Sequence, residues 1–257
     1  MIWTSPLSVL VAVLCITTVN ALPTPQSASS SPSSSPSFYT SAITTFLQDL
    51  KLTNCALGPS TALPYSSLPP PSTGLTLNTI TIGRGTQNYT CATSDSSSKP
   101  IAAGATANLF DASCLAALGT GGTGDLLHLV PDVLKPVPLS TTDLVSNILS
   151  RISGQNLEIG KHYFTAQGVP FFDLRRSAGL ISGDRWIAAQ KEAEAPAGVK
   201  PGYGLKGDVA WLKLKGVEGG LKEVYRVHTA GGSPPATCEG MDEVFTVDYT
   251  SEYWFYG

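Results

Sequence analysis

Leu75–Cys91 reads LTLNTITIGRGTQNYTC. In Leu75–Ile82 apolar and polar residues alternate and β-branched residues are frequent, the pattern of a strand with one buried face. Gly83-Arg84-Gly85 reads as a turn, and Thr86–Cys91 as a second strand paired with the first in a hairpin. Downstream, Ala105–Phe110 is a third strand. Further short β-like runs follow at His162–Ala166, Val169–Leu174, Arg185–Ala189, Val209–Leu214 and Val224–Thr229, and Phe245–Tyr256 supplies one or two more. Many short strands separated by Gly/Pro turns, with few helices between them, predict a mainly β fold. The expected form is an antiparallel β-sandwich or barrel with a few short helices and two disulfides. A parallel sheet would need a helix between successive strands, and that rhythm is absent.

Helices are expected at three places. Phe38–Lys51 carries Ile43, Phe46, Leu47 and Leu50 at helical spacing. Asp125–Val130 offers a turn or two before Pro131. Ser140–Ile152 is the clearest, with Leu144, Val145, Ile148, Leu149 and Ile152 on one face and Ser140 or Thr141 as cap. Gly58–Ser72 is rich in proline and serine and reads as loop.

Upstream of the body, Met1–Ala21 reads as a secretory signal peptide. Leu7–Val19 is an apolar run too short and interrupted to span a bilayer, and Val19-Asn20-Ala21 places small residues where a signal peptidase cleaves. Leu22–Phe38, LPTPQSASSSPSSSPSF, has no charge and little to bury, so it reads as a disordered linker whose hydroxyls suit O-glycosylation. The expected organisation is a signal over 1–21, a linker over 22–38 and a single mainly β domain over 39–257. The mature chain is expected to have no transmembrane segment.

The net charge is −3, and residues 1–48 hold no Asp, Glu, Lys or Arg. A mildly acidic body without a Lys/Arg cluster argues against nucleic acid as a partner and against a basic membrane-surface patch. Cys15 leaves with the signal. Cys55, Cys91, Cys114 and Cys238 remain, an even number suited to an oxidising compartment. Four cysteines allow three pairings; the expected one is Cys91–Cys114 as the local bridge and Cys55–Cys238 tying the ends. Asn88-Tyr89-Thr90 is a glycosylation sequon that places Asn88 at the surface if occupied. No C-x-x-C pair occurs, and neither a metal nor a cofactor is expected.

Gly119–Gly124 formally matches G-x-G-x-x-G, with Asp143 at about the distance of a ribose-binding acid. The segment before it is no β-branched strand, and Pro131 interrupts the helix that should follow, so it reads as a glycine-rich loop. There is no G-x-S-x-G and no H-E-x-x-H. The histidines, His128, His162 and His228, are scattered. Asp173 and Asp184 bracket Arg175 and Arg176 in what reads as an ion-pair cluster. Tyr249, Tyr253, Trp254 and Tyr256, with Trp211 and Tyr225, suit either a core or a sugar-stacking surface; strand alternation favours the core.

Three segments carry a resemblance: Gly83–Cys91 (GRGTQNYTC), Val209–Leu214 (VAWLKL) and Val224–Cys238 (VYRVHTAGGSPPATC). His162-Tyr163-Phe164 lies between the first two, and Glu252–Tyr256 (EYWFY) ends the chain. Over residues 55–257 the chain resembles a secreted domain family of unknown function found in fungi and bacteria, whose fungal members often carry the label "malate dehydrogenase". The resemblance implies a fold and a secreted protein and supplies no established catalytic residues to carry over; many relatives have Asn at the position of His228. The function expected is an extracellular or cell-wall binding domain, with carbohydrate the first ligand to consider. The alternatives are an extracellular hydrolase that brings an Asp and a His together from among His162, Asp173, Asp184 and His228, and, with less support, the dehydrogenase of the label. The ligand-binding residues expected are Gln87, Tyr89, His162, Trp211, Arg226 and His228; in the competing reading, Gln87 and Arg226 serve backbone groups between strands.

Overall fold

The computed structural model describes Thr45 and residues 51–58, 61–64, 66–118, 126–175, 184–197 and 207–257. The signal, the linker, nearly all of the helix expected at Phe38–Lys51, the glycine run 119–124 and Arg176 lie outside them. Eight strands, β1 (Leu77–Thr90), β2 (Ile101–Asp111), β3 (Glu158–Phe164), β4 (Pro170–Asp173), β5 (Trp186–Ala195), β6 (Trp211–Gly219), β7 (Glu223–Gly231) and β8 (Val244–Tyr256), follow one another round a closed barrel. Each pairs antiparallel with its sequence neighbour, and β8 closes the ring onto β1. Of the two architectures the patterning allows, the chain adopts the barrel. Three helices sit outside it: α1 (Ser113–Leu118), α2 (Leu126–Leu134) and α3 (Leu139–Ser153).

The expected hairpin at Gly83-Arg84-Gly85 is not there. β1 runs straight through it, pairing with β8 from Leu77↔Tyr256 to Thr90↔Val244. The glycines mark a close approach rather than a turn. A Cβ on Gly85 would lie 1.9 Å from the Thr106 carbonyl oxygen, and one on Gly83 would lie 2.4 Å from the Tyr253 ring. Bare backbone is what lets β1 pass β2 and the large side chains inside. Arg84 points the other way. Its guanidinium donates to the carbonyls of Tyr249 (3.1 Å) and Val137 (2.8 Å) and to Asp248 Oδ2 (2.8 Å), tying the α2–α3 connection to the wall.

Strand alternation makes two cores. Leu109, Ile159, Phe172, Ile187, Leu214, Val224, Tyr249, Tyr253 and Phe255 fill the lumen. On the outside, Ile80, Ile82, Trp211, Tyr225, Val227, Trp254 and Tyr256 are covered by α1, α2 and the segment around Leu68. An eight-stranded barrel has an interior just wide enough for side chains to fill, and here aromatic rings fill it. The six aromatics considered for a stacking surface are therefore all core, none more than 6% exposed. The covering segment carries no strand or helix between its described residues 61 and 72, as its prolines require, and it is held by polar ties. Tyr225 Oη donates to Pro69 O (3.0 Å), and Lys213 Nζ to Pro70 O (3.1 Å). Lys213 also forms a buried pair with Glu223 at 3.2 Å.

Two helix expectations need correction. α2 continues through Pro131 instead of stopping before it; Lys135 N still reaches Pro131 O at 3.0 Å, so only the one N–H that proline lacks is lost. α3 spans the expected residues, but its apolar face is split: Leu144 is 59% and Ile148 46% exposed, while Ser146 and Ser153 are buried. Both serine hydroxyls donate back to helix carbonyls, Asp143 O at 3.0 Å and Leu149 O at 2.7 Å, so their burial leaves no donor unmet. Pro138 stands at the N-cap, in place of Ser140 or Thr141, and Gly154 closes the helix in the left-handed conformation.

The disulfides are Cys55–Cys114 and Cys91–Cys238, not the expected pairing. Cys91 follows the end of β1 and Cys114 follows the end of β2. Because these strands are antiparallel, the two cysteines lie at opposite ends of the barrel, roughly 30 Å apart at ~3.4 Å per residue. Cys91 instead sits where β8 begins, its N–H bonded to Glu243 O (2.8 Å), while Cys55 N is held by Ser113 Oγ (3.0 Å) beside Cys114.

Candidate functional site

The six residues singled out from sequence do not make one site; the alternation of the strands divides them. Gln87, Tyr89, His162 and Arg226 point into one end of the lumen, and Trp211 and His228 lie outside the wall.

The lumen group is built for packing. Arg226 donates through Nε (3.2 Å) and Nη2 (2.8 Å) to the Ala210 carbonyl. Tyr89 Oη donates to Gly232 O (2.7 Å), and Gln87 lies beside Gly232. His162 stacks on Phe172 with centroids 4.0 Å apart and bonds through Nδ1 to Phe171 O (3.0 Å). Burial pulls its imidazole down to about 4, with the Phe171 carbonyl opposing and the Arg226 charge adding to the fall. Burial likewise pushes the Tyr249 and Tyr253 hydroxyls, 2.8 Å apart, above the ordinary phenol value. Arg226 and Tyr89 serve backbone carbonyls and the two tyrosine hydroxyls serve each other, whereas Gln87 Nε2 is buried without a hydrogen-bond partner among the described residues.

Outside the wall the chemistry is different. A depression of about 330 Å³ runs between β1–β3 and α3, lined in part by Thr86, Thr106, Asn108, Asp143, Lys161 and Tyr163. Asn108 Nδ2 donates to Asp143 Oδ1 (2.7 Å), Lys161 Nζ donates to Asn108 Oδ1 (2.7 Å), and Lys161 also pairs with Glu158 (2.9 Å). Tyr163, 37% exposed, begins a row of outward rings. It stacks on Phe171 at 5.2 Å, and Phe171 on Trp186 at 5.2 Å. The row crosses β3, β4 and β5, because residues paired across the strands share a face. Sequence reasoning passed over Asn108 and Lys161 and weighed Asp143 only as the acid of a nucleotide-binding glycine motif. They lie on β2, β3 and α3, and only the fold brings them together. Asn88 also faces outward on β1, half-buried, its Oδ1 accepting from Thr86 Oγ1 (3.2 Å).

A second cluster lies where α2 crosses β7 and β8. Glu252, fully buried on the outer face of β8, accepts from Trp254 Nε1 (2.9 Å) and meets His128 Nδ1 at 2.7 Å. As a carboxylate it can only accept, which places a proton on Nδ1 of His128. His228 stacks on His128 with centroids 3.9 Å apart and planes within 6°, and Trp211 leans on it at 4.8 Å. His228 has φ +46°, at the point where β7–β8 pairing slips between Val227 and Ala230. Asn tolerates the left-handed region best among non-glycine residues, together with Asp and His.

The Asp–His pairing considered for a hydrolase is not formed. His162 is inside the lumen, Asp173 is held by Arg175 in a two-pronged pair (2.8 and 2.6 Å), and Asp184 is exposed. The carboxylate–imidazole contact that does form is Glu252–His128. All eight strand pairings are antiparallel, so no parallel β–α–β nucleotide-binding unit exists among the described residues. No helix among them is long and apolar enough to cross a membrane.

These features define a disulfide-linked, closed antiparallel eight-stranded barrel with a packed lumen and an open groove on its outer wall. The chain belongs to the family described as "Protein of unknown function (DUF3455)", whose model matches residues 71–257. No curated protein and no solved structure matches it.

Proposed function

We propose that the chain is a secreted extracellular binding domain, released from its signal after Ala21, and that its ligand is carbohydrate held in the groove between β1–β3 and α3. The observation that carries the reading is the groove's lining. Asn108, Asp143 and Lys161 hold one another at 2.7 Å beside the exposed Tyr163 ring. Sugars are recognised by planar polar side chains that accept and donate to adjacent hydroxyls, and by an aromatic face that packs on the ring's C–H groups. The groove offers both, with Thr86 and Thr106 hydroxyls at its floor. Phe171 is stacked between Tyr163 and Trp186, and of the three rings Tyr163 is the one that lines the groove. Two disulfides suit an oxidising compartment. Calorimetric titration of the mature protein with cell-wall oligosaccharides tests the reading: saturable binding lost in Tyr163→Ala and weakened in Asp143→Ala supports it. No binding to any wall saccharide, or binding unaffected by both substitutions, removes it.

A further inference from the structure

We propose that His128, His228 and Glu252 form a binding site for one divalent transition-metal ion of the zinc class. The three side chains come from α2, β7 and β8, and one ligand atom from each lies within 4.8 Å of the others. Nitrogen and oxygen ligands sit roughly 2.0–2.2 Å from zinc, so three of them around one ion stand about 3.4 Å apart in a tetrahedron. Closing the difference takes rotation of the side chains, because the two imidazoles lie parallel. Two imidazoles and one carboxylate suit zinc by ligand type, and three protein ligands leave its fourth position to solvent.

The surroundings are those of a supported site. Glu252 is completely buried, and Trp254 Nε1 fixes its Oε2 at 2.9 Å, an outer hydrogen bond of the sort that orients metal-ligating carboxylates. The strand slip and positive φ at His228 carry that imidazole out over His128, and Trp211 backs it. A buried carboxylate facing two imidazoles is a place where a cation gains Coulomb energy in a low dielectric. The His128 side chain is 19% exposed and gives an ion an entry path, while both ring nitrogens of His228 are buried. Parallel rings cannot both address one ion in their planes. Binding therefore turns at least one imidazole about its Cβ–Cγ bond, a broad and soft torsion. It also takes the proton from any imidazole nitrogen that becomes a ligand, so affinity should fall as pH is lowered.

Tag-free mature protein, stripped with chelator and dialysed, is titrated with Co²⁺ while visible absorption is followed, and the Co²⁺ is then displaced with Zn²⁺. The expected result is a d–d band that saturates at one equivalent and disappears with Zn²⁺. Trp211 and Trp254 supply a second readout, because Cu²⁺ in the site should quench their fluorescence. His128→Gln and His228→Asn should abolish the band while circular dichroism and thermal midpoint stay close to those of the parent; Asn is chosen at His228 because it accepts the left-handed backbone. Glu252→Gln should do the same if it folds. The proposal is overturned if the folded parent shows no saturable binding, or if His128→Gln and His228→Asn bind as the parent does.

Discussion

At the scale of single residues, two positions show how the barrel is held closed. Gly85 is fixed by backbone contact: the missing Cβ would overlap the Thr106 carbonyl, an atom that cannot move without breaking the β1–β2 ladder. Gly85→Ala is expected to cost about 3 kcal/mol, the upper end of the usual overpacking range, because the clash is with backbone; urea unfolding would measure it. His162 is held neutral by burial, at about 4 against an ordinary 6.5. Below about 6.5 the unfolded chain takes up a proton that the folded chain refuses. Stability should therefore fall as pH drops from about 6.5, and the loss should level off below about 4 after roughly 3 kcal/mol. Urea midpoints across that window, compared with those of His162→Gln, check this; the variant should lack that part of the slope, and an identical slope would contradict it.

At the scale of elements, the disulfides and strands separate what a sequence conveys from what only a fold conveys. Period-two alternation in Leu75–Ile82 and Val224–Thr229 was sufficient to place strands and a mainly β fold, because it reflects which face is buried. The same pattern could not distinguish Gly83-Arg84-Gly85 as turn from Gly83-Arg84-Gly85 as close approach, since both uses exploit a missing side chain. Cysteine pairing was likewise out of reach, because the register that puts Cys91 beside Cys238 is set by β8 closing on β1 from the far end of the chain. The candidate site was legible only in pieces. Trp211 and His228 lie side by side on the outer wall, but no spacing in the sequence connects them with His128 or Glu252, which the fold brings in from α2 and β8. Peptide mapping without reduction should give Cys55–Cys114 and Cys91–Cys238 links. Replacing Cys91 and Cys238 together by Ala should lower stability by about 2–5 kcal/mol, read as a fall in denaturant midpoint.

At the scale of the whole molecule, the barrel divides labour between its two faces. The lumen is packed with Phe172, Tyr249, Tyr253 and Phe255, all 1% exposed or less. The proposed binding falls to the outer wall, where α3 stands off β1–β3 and leaves the groove of Asn108, Asp143, Lys161 and Tyr163. Helices and the proline-rich segment cover the opposite stretch of wall and bury Trp211, Tyr225 and Trp254. This arrangement is opposite to that of barrels that hold a ligand inside, and it makes the location of binding the decisive question. The most direct measurement is a backbone amide chemical-shift titration of isotope-labelled mature protein with wall-derived oligosaccharides. The account predicts concentration-dependent shifts confined to Thr86, Thr106, Asn108, Asp143, Lys161 and Tyr163. Shifts centred on the lumen residues Gln87, Arg226 and Tyr249, or none at any concentration, would contradict it.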